Sequence, residues 1–134
     1  MGSTTRLKLL LDTHIWLWLF DDPKKLGRKT LALLKDEENE LWLSPISMWE
    51  ALTLQQKGRI QLQGDVESWV ERAIAGTKEA VLTHEIASAA RSLPLHKDPA
   101  DRLIAATALV MDLTLVTADE RLLQLKNIKT LANF

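Results

Sequence analysis

Short apolar runs that stop abruptly at a polar residue, each close to a helix-starting signal, recur along this chain and leave few folds open. Residues 7–11, 41–43, 80–82 and 113–116 are such runs. Each is too short for a helix and apolar enough for burial on both sides, as strands within a covered sheet are. Helical spacing of apolar residues fills the intervals, over residues 14–20, 28–35, 66–75 and 84–92. Ser44-Pro45 and Asp98-Pro99 each place a capping side chain before a proline at the first helical position, opening helices over 45–57 and 99–111. Gly58 and Gly76 follow two of the predicted helices, where a left-handed residue is needed. Residues 118–124 predict a short helix and residues 128–131 a last edge strand. Strands alternating with helices predict an α/β fold, its parallel sheet covered on both faces.

The chain has 134 residues, the size of one domain, so residues 1–134 are expected to form a single unit. It contains no cysteine, which excludes disulfides and thiolate zinc sites and fits a reducing cytosol. The polar start and the brief apolar run 9–11 are too short for a signal-peptide core or a membrane span. A net charge of −1 gives no global basic field for nucleic acid. Local charge is less even. Lys24, Lys25, Arg28 and Lys29 cluster early, either as solvated helix surface or as a phosphate-guiding rim. Arg102 and Arg121 flank acidic segments and are the stronger candidates for phosphate contact.

Four acidic segments carry the chemistry: Leu10-Leu11-Asp12-Thr13-His14, Ser47-Met48-Trp49-Glu50, His96-Lys97-Asp98-Pro99-Ala100-Asp101-Arg102 and Val116-Thr117-Ala118-Asp119-Glu120. Their carboxylates stand where a strand ends or a helix begins, and an α/β fold gathers such places on one rim of its sheet. Convergent carboxylates repel one another and lose solvation, so a cation is needed to neutralise them. Mg²⁺ or Mn²⁺ prefers such oxygen ligands. Asp12 can cap the helix that follows it or serve the rim. Glu50 has Ile46 and Leu54 one turn away on either side, so it lies on an apolar strip and needs a partner. Asp98 is well explained as a helix cap. Asp101, whose helical neighbours are Ile104, Ala105 and Ala108, is the better ligand. Thr117 and Glu120 can form a capping box that leaves Asp119 free to face the site.

The three histidines are not paired at metal-binding spacing. His84 reads as helix surface, whereas His14 and His96 adjoin acidic segments and can orient carboxylates or meet phosphate. Five tryptophans are many for this length, and most belong in a core. Trp16 and Trp18 are two apart on one helix and cannot both face inward. One is left for a dimer interface or for stacking on a base.

Taken in order, the four segments resemble the PIN domain family, in particular the VapC-like toxins of bacterial and archaeal toxin–antitoxin pairs. Each fragment is weakly specific, and the ordered set is strong. The resemblance implies a three-layer α/β/α sandwich with a short central parallel sheet. It implies a metal-dependent endoribonuclease with one or two Mg²⁺ or Mn²⁺ ions. The family's acidic positions fall on Asp12, Glu50, Asp101 and Asp119, with Asp98 and Thr117 as accessory positions. Hydrolysis of single-stranded RNA by metal-activated water would leave a 3′-hydroxyl and a 5′-phosphate. The partners so implied are an RNA substrate, a small antitoxin and a second copy of the chain, in a bacterial or archaeal cytoplasm with no membrane attachment. A DNA nuclease on the same acidic site, and a metal-binding interaction module without turnover, are the alternatives.

Overall fold

The computed structural model describes residues 6–95 and 98–134. Among these, five strands form one sheet: β1 (Lys8–Leu11), β2 (Glu40–Leu43), β3 (Thr77–Glu79), β4 (Thr114–Thr117) and β5 (Thr130–Ala132). The spatial order is β3-β2-β1-β4-β5, with every neighbouring pair parallel. The chain steps outward from β1 through β2 to β3, then returns past β1 to lay down β4 and β5. The strand order therefore reverses between β1 and β4. In open α/β sheets the crevice beyond the carboxyl ends of strands at such a reversal is where ligands bind.

The helices are α1 (Thr13–Asp21), α2 (Arg28–Lys35), α3 (Pro45–Gln56), α4 (Val66–Ile74), α5 (His84–Arg91), α6 (Pro99–Met111) and α7 (Glu120–Leu123), with a 3-10 turn over Pro23–Lys25. They cover both faces of the sheet, and β1 shows why. Successive strand residues point to opposite faces. Leu10 joins Ile86, Ala90, Ile104, Ala105 and Leu115 in one core beneath α5 and α6. Leu9 and Leu11 join Ile15, Trp16, Ala51, Trp69 and Val116 in a second core beneath α1, α3 and α4. All three leucines are fully buried. The outcome is the expected α/β/α arrangement, and no helix among the described residues is long and apolar enough to cross a membrane.

Most predicted helices fall within a residue or two of their expected bounds, and both cap-then-proline starts hold. Ser44 Oγ accepts the Ile46 N–H at 3.1 Å, and Asp98 Oδ1 accepts the Ala100 N–H at 3.0 Å. The third strand is the clearest correction. The apolar run at residues 80–82 was expected to form it, yet β2 pairs instead with Thr77, Lys78 and Glu79. The left-handed Gly76 (φ 79°) turns the chain immediately before them and sets this register. Ala80 adds one further bond, its N–H donating to the Leu43 carbonyl at 2.9 Å. An edge strand has only one ladder to fill, so polar residues serve. The last strand is likewise displaced, to Thr130–Ala132 from the expected residues 128–131.

Candidate active site

Asp12 is the first residue beyond β1. Its N–H donates to the Val116 carbonyl at 3.0 Å, so the β1–β4 ladder fixes its backbone at the crevice. Its carboxylate is held on both sides: Oδ1 accepts the Thr13 N–H at 2.9 Å and Oδ2 accepts the Thr117 hydroxyl at 2.6 Å. The same carboxylate thus caps α1 and lines the crevice. Burial pushes the Asp12 carboxyl above its ordinary range, with a small push from Asp119. The bonds from Thr117 and Thr13 and the nearness of His14 oppose that rise. Thr117 Oγ1 also accepts the Asp119 N–H at 3.0 Å, tying the end of β4 to the start of α7.

Glu50 arrives from α3 and is gripped from below. Thr13 Oγ1 lies at hydrogen-bond distance from Glu50 Oε1 and 2.8 Å from Ser47 Oγ. A hydroxyl has one proton, so Thr13 donates to the carboxylate and accepts from Ser47. Both hydroxyl residues are buried. This chain of Ser47, Thr13 and Glu50 escaped the sequence reading. Ser47 is three residues before Glu50 on the same helix and Thr13 follows Asp12, but small hydroxyls carry no distinctive spacing. Burial raises the Glu50 carboxyl. Thr13 opposes this, and the negative charges of Asp98, Asp101 and Asp12 reinforce it.

Asp98 and Asp101 sit at the start of α6, where the helix macrodipole favours anions. They line one cleft of about 370 Å³ together with Asp12, Thr13, His14, Trp18, Glu50, Ala118, Asp119 and Arg121. Five of the expected acidic residues therefore converge, with His14 and Arg121 beside them and Thr117 beneath. The capping box expected at Thr117 and Glu120 does not form. Asp119 itself caps α7, accepting the Arg121 N–H at 2.9 Å, and its carboxylate pairs with the Arg121 guanidinium at 3.1 Å. That pairing raises the Arg121 pKa further, aided by the field of Asp101 and Asp98.

Arg102 requires a correction. It does not line the acidic cleft, and its guanidinium donates to the carbonyls of Ala90, Leu93 and Leu95. It braces the C-terminal end of α5 and the following loop against α6, a use of five fixed donors that charge and position in the sequence do not distinguish from phosphate binding. His96 lies outside the described residues. A roomier cavity of about 500 Å³ adjoins the cleft across Arg121, but its lining, which includes Leu93, Leu95, Leu125 and Ile128, contains no carboxylate.

The donor set fits a hard divalent ion: among the described residues lining the cleft, five carboxylates stand against one guanidinium, and burial raises the pKa of two of them, Asp12 and Glu50. Among the described residues, no group of three or more such side chains is gathered tightly enough to hold an ion as it stands. The carboxylates are spread while Thr13 holds Glu50 and Arg121 holds Asp119, so closing on an ion requires them to draw together.

A pH dependence follows. Because Asp12 and Glu50 have folded-state pKa values above their unfolded values, their ionisation opposes folding. The metal-free fold loses this contribution as pH rises through those raised values and keeps it below the ordinary carboxylate range. Mg²⁺ or Mn²⁺ at about ten times its Kd should restore roughly 1.4 kcal/mol at neutral pH. That gain should fade as pH falls through the raised values and protons displace the cation. Thermal melts in EDTA and in each metal across this range measure it; a pH-independent gain would contradict the assignment.

Comparison with known proteins supplies independent findings. The profile of the PIN domain family matches residues 9–128. Ribonuclease VapC22 from Mycobacterium tuberculosis (strain ATCC 25618 / H37Rv) is 35% identical over 116 residues, spanning 85% of this chain and 88% of that protein. In the crystal structure of VapBC2 from Rickettsia felis bound to a promoter DNA fragment, one chain superposes with a TM-score of 0.71 at 19% identity. The alignment covers 94% of this chain and 98% of that one. DNA-bound VapBC from Salmonella typhimurium gives a TM-score of 0.71 at 18% identity, covering 96% and 99%. At such identities the two structures speak to fold alone.

Proposed function

The chain belongs to the PIN domain family, and from that membership we propose that it is a VapC-type ribonuclease toxin that hydrolyses single-stranded RNA with Mg²⁺ or Mn²⁺. The observation that carries this reading is the convergence of Asp12, Glu50, Asp98, Asp101 and Asp119 in one cleft at the sheet's switch point. The likeness to a ribonuclease over most of both chains supplies the substrate class.

Asp12, Asp101 and Asp119 would hold the ion or ions, joined by Glu50 and with Asp98 as an accessory. A divalent ion held there would supply an activated water and positive charge to offset that of a phosphodiester. The protein's own groups set the stage for it. Thr117 and the Thr13 N–H fix both oxygens of Asp12, and Thr13 orients Glu50. Arg121 stands at the rim, where its guanidinium can meet a substrate phosphate as Asp119 turns inward. His14, at the cleft wall, is a second phosphate contact.

The same reading gives the protein a small antitoxin as inhibitor, a second copy of the chain as dimer partner, and a bacterial or archaeal cytoplasm as its place of action. One solved structure of similar fold is a toxin–antitoxin complex from Klebsiella pneumoniae, with a TM-score of 0.63 at 18% identity. Trp49 is 62% exposed and Val81 54%, leaving apolar surface for protein contacts.

Labelled single-stranded RNA and matched DNA, incubated with antitoxin-free protein in Mn²⁺, Mg²⁺ or EDTA, test the activity. RNA should be cut only with metal, leaving 5′-phosphate ends, and Asp101→Asn should not cut it. Equal cutting of DNA, or RNA cleavage undiminished in EDTA, would overturn the reading.

A further inference from the structure

We propose that Trp18 is the platform on which one unpaired base of the RNA stacks beside the cleavage site, with Lys25 contacting an adjoining phosphate. The inference rests on the ribonuclease reading and deepens it.

The two tryptophans of α1 have parted company. Trp16 is almost fully buried; its indole N–H donates to the Ala73 carbonyl at 2.8 Å and its ring meets Trp69 edge-on at 5.6 Å. Two residues onward is about 200° around a helix, which carries Trp18 to the opposite side. There it lines the acidic cleft, only half buried, with Asp12 and Asp119 among the other lining residues. His14, one turn earlier, lies 6.0 Å from it between ring centroids, tilted by 53°. Lys25 Nζ, from the 3-10 turn after α1, stands over the indole 5.9 Å from its centroid.

Part of the Trp18 ring packs against the core beneath α1, but Trp16 and Trp69 are the tryptophans fully buried there, and the rest of the Trp18 ring stays accessible from the cleft. The substrate does give it a use. A cleft rich in carboxylates attracts cations but repels a polyanion, so RNA needs an anchor that does not depend on net charge. A base on an aromatic face is such an anchor and tolerates any sequence. Lys25 is exposed on a flexible stem, so a base can take its place over the ring while the ammonium moves to phosphate. Trp18 is therefore a binding residue close to the reacting phosphodiester.

Fluorescence anisotropy of a labelled octaadenylate, read in the cleavage-deficient Asp101→Asn background with Mg²⁺, tests this. A set of octamers each lacking one base accompanies it. Trp18→Ala should weaken binding by about 5- to 150-fold, the range that loss of one stacked base gives. Trp18→Phe should stay within about threefold. Removing one particular base should weaken binding by a similar factor with Trp18 present and have little effect in Trp18→Ala. Lys25→Gln should lower the slope of log affinity against log salt by about 0.7. If no single base matters to the protein with Trp18 intact, or if base removal and Trp18→Ala are additive at every position, stacking is wrong. The scan with Trp18 intact decides this even if Trp18→Ala fails to fold. Cleavage by the unsubstituted protein is scored separately. RNA cut without base-specific binding sinks the stacking alone, whereas RNA neither bound nor cut sinks the ribonuclease reading with it.

Discussion

Asp12→Asn should reduce RNA cleavage by about a hundredfold or more while leaving the metal-free protein no less stable than its parent. The activity loss follows from the position of the carboxylate at the switch point, where it contributes charge that an amide cannot. Loss of even part of the several kcal/mol that a bound ion supplies reaches this scale. Stability behaves differently. The asparagine Oδ1 still accepts the Thr13 N–H and its amide nitrogen can donate to Thr117 Oγ1; the Thr117 hydroxyl proton then loses its acceptor, a cost that relief of the buried charge offsets. What disappears is a buried charge that burial has already made unfavourable. The sign is definite: the ionised Asp12 opposes folding above its raised pKa, so the variant's advantage in EDTA should grow as pH rises through that value. Initial cleavage rates and thermal melts on the same preparations measure both halves. Cleavage within tenfold of the parent would remove Asp12 from the metal site, and a large destabilisation would mean that its ionised form is a structural necessity.

Thr117→Val should cost about 1–3 kcal/mol of stability and lower activity at the acid end of the pH range. Valine keeps the branched shape, so packing changes little. The hydroxyl, however, gives its proton to Asp12 Oδ2 and accepts the Asp119 N–H, in a place with no solvent exposure. Its removal leaves a buried carboxylate oxygen and an amide unmet, which incurs a desolvation penalty of that size. The bond from Thr117 also holds the Asp12 pKa down against burial. Without it the carboxyl rises further, and the acid limb of the rate profile moves to higher pH. Thr117→Ser should restore both properties. Denaturant unfolding and a pH–rate profile are the measurements; a valine variant within about 0.5 kcal/mol and with an unmoved acid limb would show that Thr117 merely fills space.

What could be read from the sequence was whatever a local signal marks. Asp12 ends an apolar run, Ser44 and Asp98 precede prolines, and Glu50 lies on an apolar strip, so each announces itself within a few residues. Pairing and orientation are decided at longer range. The 80–82 run is more apolar than Thr77-Lys78-Glu79, yet the register against β2 and the turn at Gly76 outweigh that preference. Arg102 stands beside an acidic segment in sequence but is drawn to the carbonyls that end α5. Thr13 and Ser47 become meaningful only when α1 and α3 meet, 34 residues apart along the chain. Trp16 and Trp18 could be known to diverge, but only the folded α1 shows which one meets the cleft.

The bond between Thr117 and Asp12 spans 105 residues of chain. During synthesis at about 5–20 residues per second, roughly 5–20 s pass between the appearance of one partner and the other. Throughout that interval β1 lacks its β4 neighbour, Asp119 has not yet been made, and the carboxylates already present have no closed crevice to share. A nascent copy on the ribosome, surrounded by RNA and tethered to its own messenger, therefore has no assembled crevice until β4 and Asp119 have been made. A ribonuclease of the kind proposed is thus harmless to its maker until the turn between β4 and α7 has been made.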